Sequence, residues 1–318
     1  MKLPDASAPL RIGTRDSRLA LAQAVTTRSL LMEAHGLPEA AFEIAPIRTT
    51  ADRIQDRALK DLGGKGLFTK ELEEALLADV IDIAVHCVKD MAVAEPDGLL
   101  TDCIMEREDP RDAFVSHGFA SLAELPPGAV VGTSSMRRRA QVLHRRPDLT
   151  VVNFRGNVQT RLRKLEEGVA GATFLAMAGL NRLGLRSVGR NPVEIADMLP
   201  AVGQGALAIQ RRKADEDVAR LMAPLHHPQT EIQMAAERMF LATLEGSCET
   251  PIAGFAEITP DGIRLMGEIL RPDGSEVLTA ERSGSAADAA RIGRDLAREL
   301  LARAPADFFD WRTSRPRH

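Results

Sequence analysis

The sequence predicts an α/β protein followed by a smaller α+β unit. Three observations lead there. Short apolar strands alternate with amphipathic helices from Leu10 to Ile209, the pattern of mixed, mostly parallel sheets with helices on both faces. The pattern changes after Pro224-Leu225-His226-His227-Pro228, where strand-like stretches follow one another directly. The 318 residues allow two or three domains.

The elements read in order. Residues 10–12 form a strand, and Ser17 caps a helix that runs to about Glu33. Residues 42–47 form a second strand. The polar stretch 49–66, with Gly63-Gly64-Lys65-Gly66, reads as a mobile loop, and Leu67, Leu72, Ala75 and Leu76 continue as an amphipathic helix. A buried strand over 81–85 runs into His86-Cys87-Val88-Lys89-Asp90, and Arg107-Glu108-Asp109-Pro110 reads as a hinge. Val130 and Val131 end a strand; Ser134 or Ser135 then caps a helix with Met136, Ala140 and Leu143 on one face. Residues 151–154 repeat the strand, and Asn157 precedes a helix bearing Val158, Leu162, Leu165 and Val169. This second unit runs to Pro200, and 206–209 is another strand. Beyond Pro228 come a helix from about Thr230 to near Gly246, strands over 252–258, 263–269 and 276–280, and a last helix over 286–302. No internal repeat is visible.

Composition narrows the function. With 44% hydrophobic and 27% charged residues the chain is an ordinary globular one. No apolar run reaches the roughly 18 residues of a membrane span, and the N-terminus lacks the apolar core of a signal peptide. Cys87, Cys103 and Cys248 give no paired framework, so a reducing cytoplasm is expected. Aromatics are 3%, with no Tyr, and the net charge is −4. Nucleic-acid binders instead carry stacking rings or a basic domain. The expected partner is a small molecule, with no nucleic acid, no membrane and a monomeric chain.

Positive charge is nevertheless concentrated. Residues 132–163 hold eight arginines and a single acid, Asp148. Arg137 and Arg138 fall in the first turn of a helix, where the helix dipole disfavours cations unless an anion is present. Arg155 and Arg161 mark the next strand-to-helix junction. In open α/β sheets such junctions line the binding crevice, so the ligand expected is an anion with several carboxylates or phosphates. Arg139, Arg145, Arg146 and Arg163 read as a solvated face.

Other motifs say less. Gly63-Gly64-Lys65-Gly66 lacks P-loop spacing, Gly203-x-Gly205 is too short for a dinucleotide fingerprint, and His86-Cys87 lacks metal-ligand spacing, so no metal is expected. Cys248 sits in the polar loop Leu244-Glu245-Gly246-Ser247-Cys248-Glu249-Thr250-Pro251. A lone Cys is usually a small core hydrophobe; in this loop an attachment point or nucleophile is the other reading. Asp90 ends a buried strand beside Lys89, as a loop cap or ion pair, or as a carboxylate that steadies developing positive charge.

Together these segments resemble the porphobilinogen deaminase (hydroxymethylbilane synthase) family over essentially the whole chain. The motifs are Arg11-Ile-Gly-Thr-Arg-Asp-Ser17, Gly63-Gly-Lys-Gly-Leu-Phe68, Asp82-Ile-Ala-Val-His-Cys-Val-Lys-Asp90, Glu106-Arg-Glu-Asp-Pro-Arg-Asp-Ala-Phe114, Val131-Gly-Thr-Ser-Ser-Met-Arg-Arg138, Arg155-Gly-Asn157 with Arg161, Ala178-Gly-Leu180, Leu199-Pro-Ala-Val-Gly-Gln-Gly205 and Leu244-Glu-Gly-Ser-Cys248. The resemblance implies three domains: two lobes like those of periplasmic binding proteins, 1–105 with 206–223 and 111–199, and a cofactor-carrying C-terminal domain, 228–318. It implies a dipyrromethane cofactor on Cys248 through a thioether, serving as primer. Four porphobilinogen units are deaminated and joined head to tail, and water then releases hydroxymethylbilane. Asp90 matches the catalytic aspartate, which is also among the cofactor ligands with Lys89, Ser135, Arg137 and Arg138. Arg15, Ser17, Thr133, Asn157, Arg155, Arg161, Gln204, Arg182 and the loop residue Lys65 match or neighbour the substrate ligands.

The chain departs from the family pattern at Cys87, where many members have Ser; at Arg18, where Pro is common; at Asp61, where some members have Lys; and at Asn181, where Lys is common. A different class of function also fits the charge map: a cytoplasmic two-lobed module that binds a small polycarboxylate without catalysis. Such a module needs the arginine junctions but neither Asp90 nor a loop thiol.

Overall fold

The computed structural model describes residues 3–50, 68–189, 191–247 and 250–312. The Gly63–Gly66 loop with Lys65, the departure at Asp61, and Cys248 lie outside the described residues. The strands are β1 (Leu10–Arg15), β2 (Phe42–Ile47), β3 (Ile83–Cys87), β4 (Leu99–Ile104), β5 (Asp112–Ser116), β6 (Val130–Gly132), β7 (Thr150–Val152), β8 (Ala172–Ala176), β9 (Leu207–Arg212), β10 (Ile252–Thr259), β11 (Gly262–Leu270) and β12 (Val277–Gly284).

They form three sheets, in the orders β2-β1-β3-β9-β4, β5-β8-β6-β7 and β10-β11-β12. In the first, β1 is parallel to β2 and β3, while β9 runs antiparallel to both β3 and β4. In the second, β6 is parallel to β7 and β8, and β5 opposes β8. Each α/β sheet is therefore parallel apart from one opposed strand, and each repeats the order second, first, third, opposed. The third sheet is an antiparallel meander. This is the expected mixed, mostly parallel α/β architecture with an α+β C-terminal part.

Local chemistry sets the elements. The Ser17 hydroxyl accepts from the Ala20 amide and starts the Arg18–His35 helix, which Gly36 ends in the left-handed conformation with its N–H on the Met32 carbonyl. That helix packs Ala24 and Leu31 against Leu10, Ile12, Ile83 and Ile209. The Lys70–Leu77 helix brings Leu72 and Leu76 onto Ile81, Ala84 and Leu99. Two further clusters flank the second sheet, around Phe114 and Phe174 and around Phe154 and Leu180. In the C-terminal part, Phe240 from the Pro228–Thr243 helix and Leu296 from the Ala289–Arg303 helix fill one core with Leu265 and Ile269. Gly293 lets these helices touch, since a Cβ there would collide with the Ala236 carbonyl oxygen.

The chain falls into two compact units: Met1–Asp109, Asn181–Gly184 and Gly205–Glu231 in one, and Pro110–Leu180, Leu185–Gln204 and Ile232–His318 in the other. The first break falls between Asp109 and Pro110. The second unit holds both the β5-β8-β6-β7 sheet and the C-terminal meander. Leu199, Ala253 and Phe255 share a cluster, and the His144 ring bonds the Gly274 carbonyl at 3.1 Å.

Burial ranks the leucines of the last helix. Leu296 is fully buried and Leu301 is 37% exposed. Leu296→Ala should therefore cost about 2–5 kcal/mol through the cavity it leaves, and Leu301→Ala less than about 1 kcal/mol. Urea unfolding of the two variants checks this; equal losses would contradict the packing described.

Candidate functional site

The first unit gathers its polar groups at the carboxyl ends of β1 and β3. β1 delivers Arg15, whose guanidinium lies 4.6 Å from the Phe68 ring centre, and then Ser17 at the helix start. β3 continues into a 3-10 turn, Val88–Asp90, pinned by the Val88 amide on the Ala206 carbonyl. Lys89 and Asp90 on this turn are half-buried. Cys87 accepts from Gln23 Nε2 at 3.1 Å. Burial pushes its thiol up, and the neighbouring Asp90 charge adds to that, against Lys89, Gln23 and Arg182. Arg182 donates to the Gly205 carbonyl at 2.8 Å, and burial lowers its pKa. Asn181 donates to Glu108 at 3.1 Å. Arg15, Ser17, Lys89, Asp90 and Arg182 thus share one unit, and two of the departures, Cys87 and Asn181, have partners there.

The second unit builds two strand-to-helix junctions. After β6, the Thr133 hydroxyl accepts from the Ser135 amide at 3.1 Å. Ser135, and not Ser134, caps the Met136–Arg145 helix, accepting from the Arg138 amide. The Ser134 hydroxyl bonds the Asn153 side chain and accepts from the Phe154 amide, so it stitches this junction to the next. At the second junction Gly156 has φ +126°. A Cβ there would press on Thr160. Asn157 caps the Val158–Glu166 helix with its side-chain oxygen, 2.9 Å from the Thr160 amide.

Arg137 and Arg138 turn inward and are 3% and 5% exposed. The anion beside them is internal. The fully buried Asp112 on β5 bonds Arg137 Nη2 through Oδ2 and Arg138 Nη2 through Oδ1, each at 2.7 Å. Gln204 Nε2 adds a third donor at 2.9 Å and also reaches the Pro110 carbonyl at 2.7 Å. Burial pushes the Asp112 carboxyl up, but the charges and hydrogen bonds of the two arginines outweigh it and hold the group well below the usual carboxylate range. Arg137 Nη1 donates to Gln141 Oε1 and the Leu199 carbonyl, and Arg138 Nη1 to the Phe174 carbonyl. Gln141 Nε2 passes the chain on to Glu268 of β11 at 2.8 Å.

Arg155 and Arg161 differ from this pair. Arg161 Nε donates to the Gly156 carbonyl at 2.9 Å. Burial, with the positive charges of Arg138 and Arg155, pushes its pKa down to about 10, so it remains a cation at neutral pH. Neither Arg155 nor Arg161 has an acidic partner among the described residues. Arg155 Nη1 and the Nε atoms of Arg137 and Arg138 are buried donors without partners.

Sequence reasoning located these arginines but missed Asp112 and Gln141, which organise them. The signal for Asp112 was an acid opening the apolar run Asp112-Ala-Phe-Val115. Two side chains assigned to a solvated face are structural instead. Arg139 donates to the Val151 carbonyl, and Arg146 reaches Asp148 and the carbonyls of Leu122, Ala123 and Leu125. Arg163 is exposed, 3.6 Å from Glu167. Gln204 and Asn157, expected near substrate, spend their side chains on Asp112 and on the helix cap.

Two family descriptions match in tandem. "Porphobilinogen deaminase, dipyromethane cofactor binding domain" covers residues 10–220, and "Porphobilinogen deaminase, C-terminal domain" covers 232–302. The chain belongs to the porphobilinogen deaminase family. Membership makes it an enzyme with hydroxymethylbilane synthase activity in tetrapyrrole biosynthesis, with dipyrromethane as cofactor. A porphobilinogen deaminase of Paracoccus denitrificans (strain Pd 1222) is 62% identical over 310 residues, covering 98% of this chain and 99% of its own. A chloroplastic porphobilinogen deaminase of Pisum sativum is 52% identical, covering 96% and 84%. Among solved structures, the methionine binding protein MetQ aligns at a TM-score of 0.42 and 14% identity, over 67% of this chain and 88% of its own. Among the described residues no helix is long and apolar enough to cross a membrane.

His86, buried on β3 just before Cys87, gives a pH test. Burial, with the nearby Arg15 charge and against Gln210, lowers its pKa to about 4. An unfolded histidine titrates near 6.5. Between those values the unfolded chain takes up a proton that the folded chain does not. This contribution to stability is therefore present above pH 6.5 and is lost as pH falls towards 4. It amounts to on the order of 3 kcal/mol. Denaturation of parent and His86→Gln from pH 4 to 7 should show a shallower pH slope for the variant; parallel slopes would rule it out.

Proposed function

We propose that the chain deaminates four porphobilinogen molecules and joins them head to tail on a primer carried by Cys248, then releases hydroxymethylbilane. The observation that carries this reading is the charge imbalance at the Gly156 junction. Arg155 and Arg161 are half-buried cations with no acidic partner among the described residues, next to Arg138, whose acid is shared. Guanidiniums held partly out of water attract carboxylates more strongly than surface ones.

The residues fit a dipyrromethane, whose rings bear acetate and propionate arms. Arg155 Nη1 and the Nε atoms of Arg137 and Arg138 lack partners among the described residues, and the unbalanced arginines offer charge-assisted hydrogen bonds of the kind carboxylates favour. When bound, the group supplies the pyrrole carbon on which the product grows. Residues 228–318 form the domain that carries it. Arg137, Arg138 and Ser135 hold its arms, and Lys89 and Asp90 complete the set of ligands assigned to it. Arg155 and Arg161, with Arg15, Ser17, Arg182 and Lys65, receive the carboxylates of incoming rings. Thr133, Asn157 and Gln204 act by fixing the junctions on which those arginines stand.

Asp90 performs the electrostatic work. Loss of ammonia from the aminomethyl group leaves a cation on the substrate pyrrole. A half-buried carboxylate at this turn is suited to bond the ring N–H and to steady that positive charge. Cys87 and Gln23 pack at the base of the same turn.

Purified protein given porphobilinogen should release ammonia and hydroxymethylbilane in a ratio of four to one. Asp90→Asn keeps the shape and removes the charge, so the rate should fall about 10²–10³-fold. A variant within a factor of two of the parent would refute the role. Arg161→Leu removes a charged hydrogen bond and should weaken substrate use about ten- to a hundredfold; unchanged steady-state kinetics would exclude it from carboxylate binding.

A further inference from the structure

We propose that Asp112 is a positioning residue for the arginine pair: it spreads Arg137 and Arg138 by their Nη2 atoms and so sets both guanidiniums for carboxylate arms. The inference rests on the reading above and extends it to a residue that touches neither primer nor substrate.

The geometry is specific. Asp112 is fully buried, and its two oxygens take one guanidinium each at 2.7 Å. Gln204 Nε2 shares Oδ1 at 2.9 Å. The other terminal nitrogens are tied to the Leu199 and Phe174 carbonyls and to Gln141. Among the N–H groups left over on both side chains, Nε–H is buried and without a partner among the described residues. Two like charges this close and this buried repel unless an anion stands between them. One carboxylate cannot neutralise two guanidiniums, so the pair keeps a surplus positive charge. Glu268 is the other acid of this network, but it accepts from Gln141, one residue removed from Arg137. The network thus offers an internal control: one acid bonded directly to both arginines, the other linked through an amide.

The test compares Asp112→Asn with Glu268→Gln in the full chain. Primer loading is read as colour with an acidic aldehyde reagent for pyrroles, per mole of protein. The ordering of the guanidiniums is read from the arginine Nε–H signals in ¹H–¹⁵N spectra, identified with Arg137→Lys and Arg138→Lys. Asp112→Asn should lower loading at least tenfold and abolish the two ordered Nε–H signals. Glu268→Gln should load within a factor of two of the parent and keep the Arg138 signal, even where its melting temperature falls as far. Normal loading of Asp112→Asn overturns the proposal, as does an equal loss in both variants, which would mark a general need for buried acids. A parent that gives no colour would count against the assigned function and leave the spectra to decide: ordered signals in Asp112→Asn then overturn the positioning role, and their loss in that variant alone supports it.

Discussion

One buried carboxylate between two guanidiniums holds the second unit in register. Asp112 opens β5, yet its partners come from the Met136–Arg145 helix and from the loop at Gln204. Through Arg137 and Gln141 the same network reaches Glu268 on β11. A buried charge without its partner is strongly unfavourable, so these segments must meet together. The strand, the arginine helix and the C-terminal meander are tied by this requirement as well as by the apolar cluster of Leu199, Ala253 and Phe255.

That arrangement divides labour among the arginines. Arg137 and Arg138 are enclosed and share one acid, Asp112, supplied by the protein itself. Arg155 and Arg161 stand at a glycine-turned junction, partly desolvated and without an acid. A chain with net charge −4 thereby keeps a local positive centre without being basic as a whole. The centre suits a small polycarboxylate, and the surrounding acidity discourages a polyanion such as nucleic acid.

Much of this was legible in the sequence because it is local. Ser17 and Asn157 mark helix starts by short-range chemistry, and β2 follows directly from its apolar run. The long-range facts were not. Strands β4, β5 and β8 carry weak alternation, and β5 begins with the aspartate that matters most, so no periodicity announced it. β12 runs on to Gly284 through exposed Glu281, Arg282 and Ser283, polar residues that an edge strand tolerates and a sequence pattern does not flag. The shared strand order of the two α/β sheets rests on backbone pairing, so no sequence repeat reveals it. The choice between Ser134 and Ser135 depended on Asn153 and Phe154, residues from the following strand-to-helix junction. The first-turn arginines were read as facing an anionic ligand, but the anion beside them is Asp112, 25 and 26 residues upstream, too distant for a local pattern to pair them. Cys248 stood out by its polar loop and gained its cofactor role, like Lys65 its substrate role, only through family resemblance; both lie outside the described residues.

The central claim is that growth takes place on a primer covalently held by Cys248 and gripped by these arginines. The intact mass of the denatured protein, followed by peptide mapping of its three cysteines, tests it most directly. The account predicts a chain heavier than its sequence by one dipyrromethane, with the added mass on the peptide containing Cys248 and with Cys87 and Cys103 unmodified. An active protein whose mass equals that of the bare sequence, with all three thiols free, would contradict it.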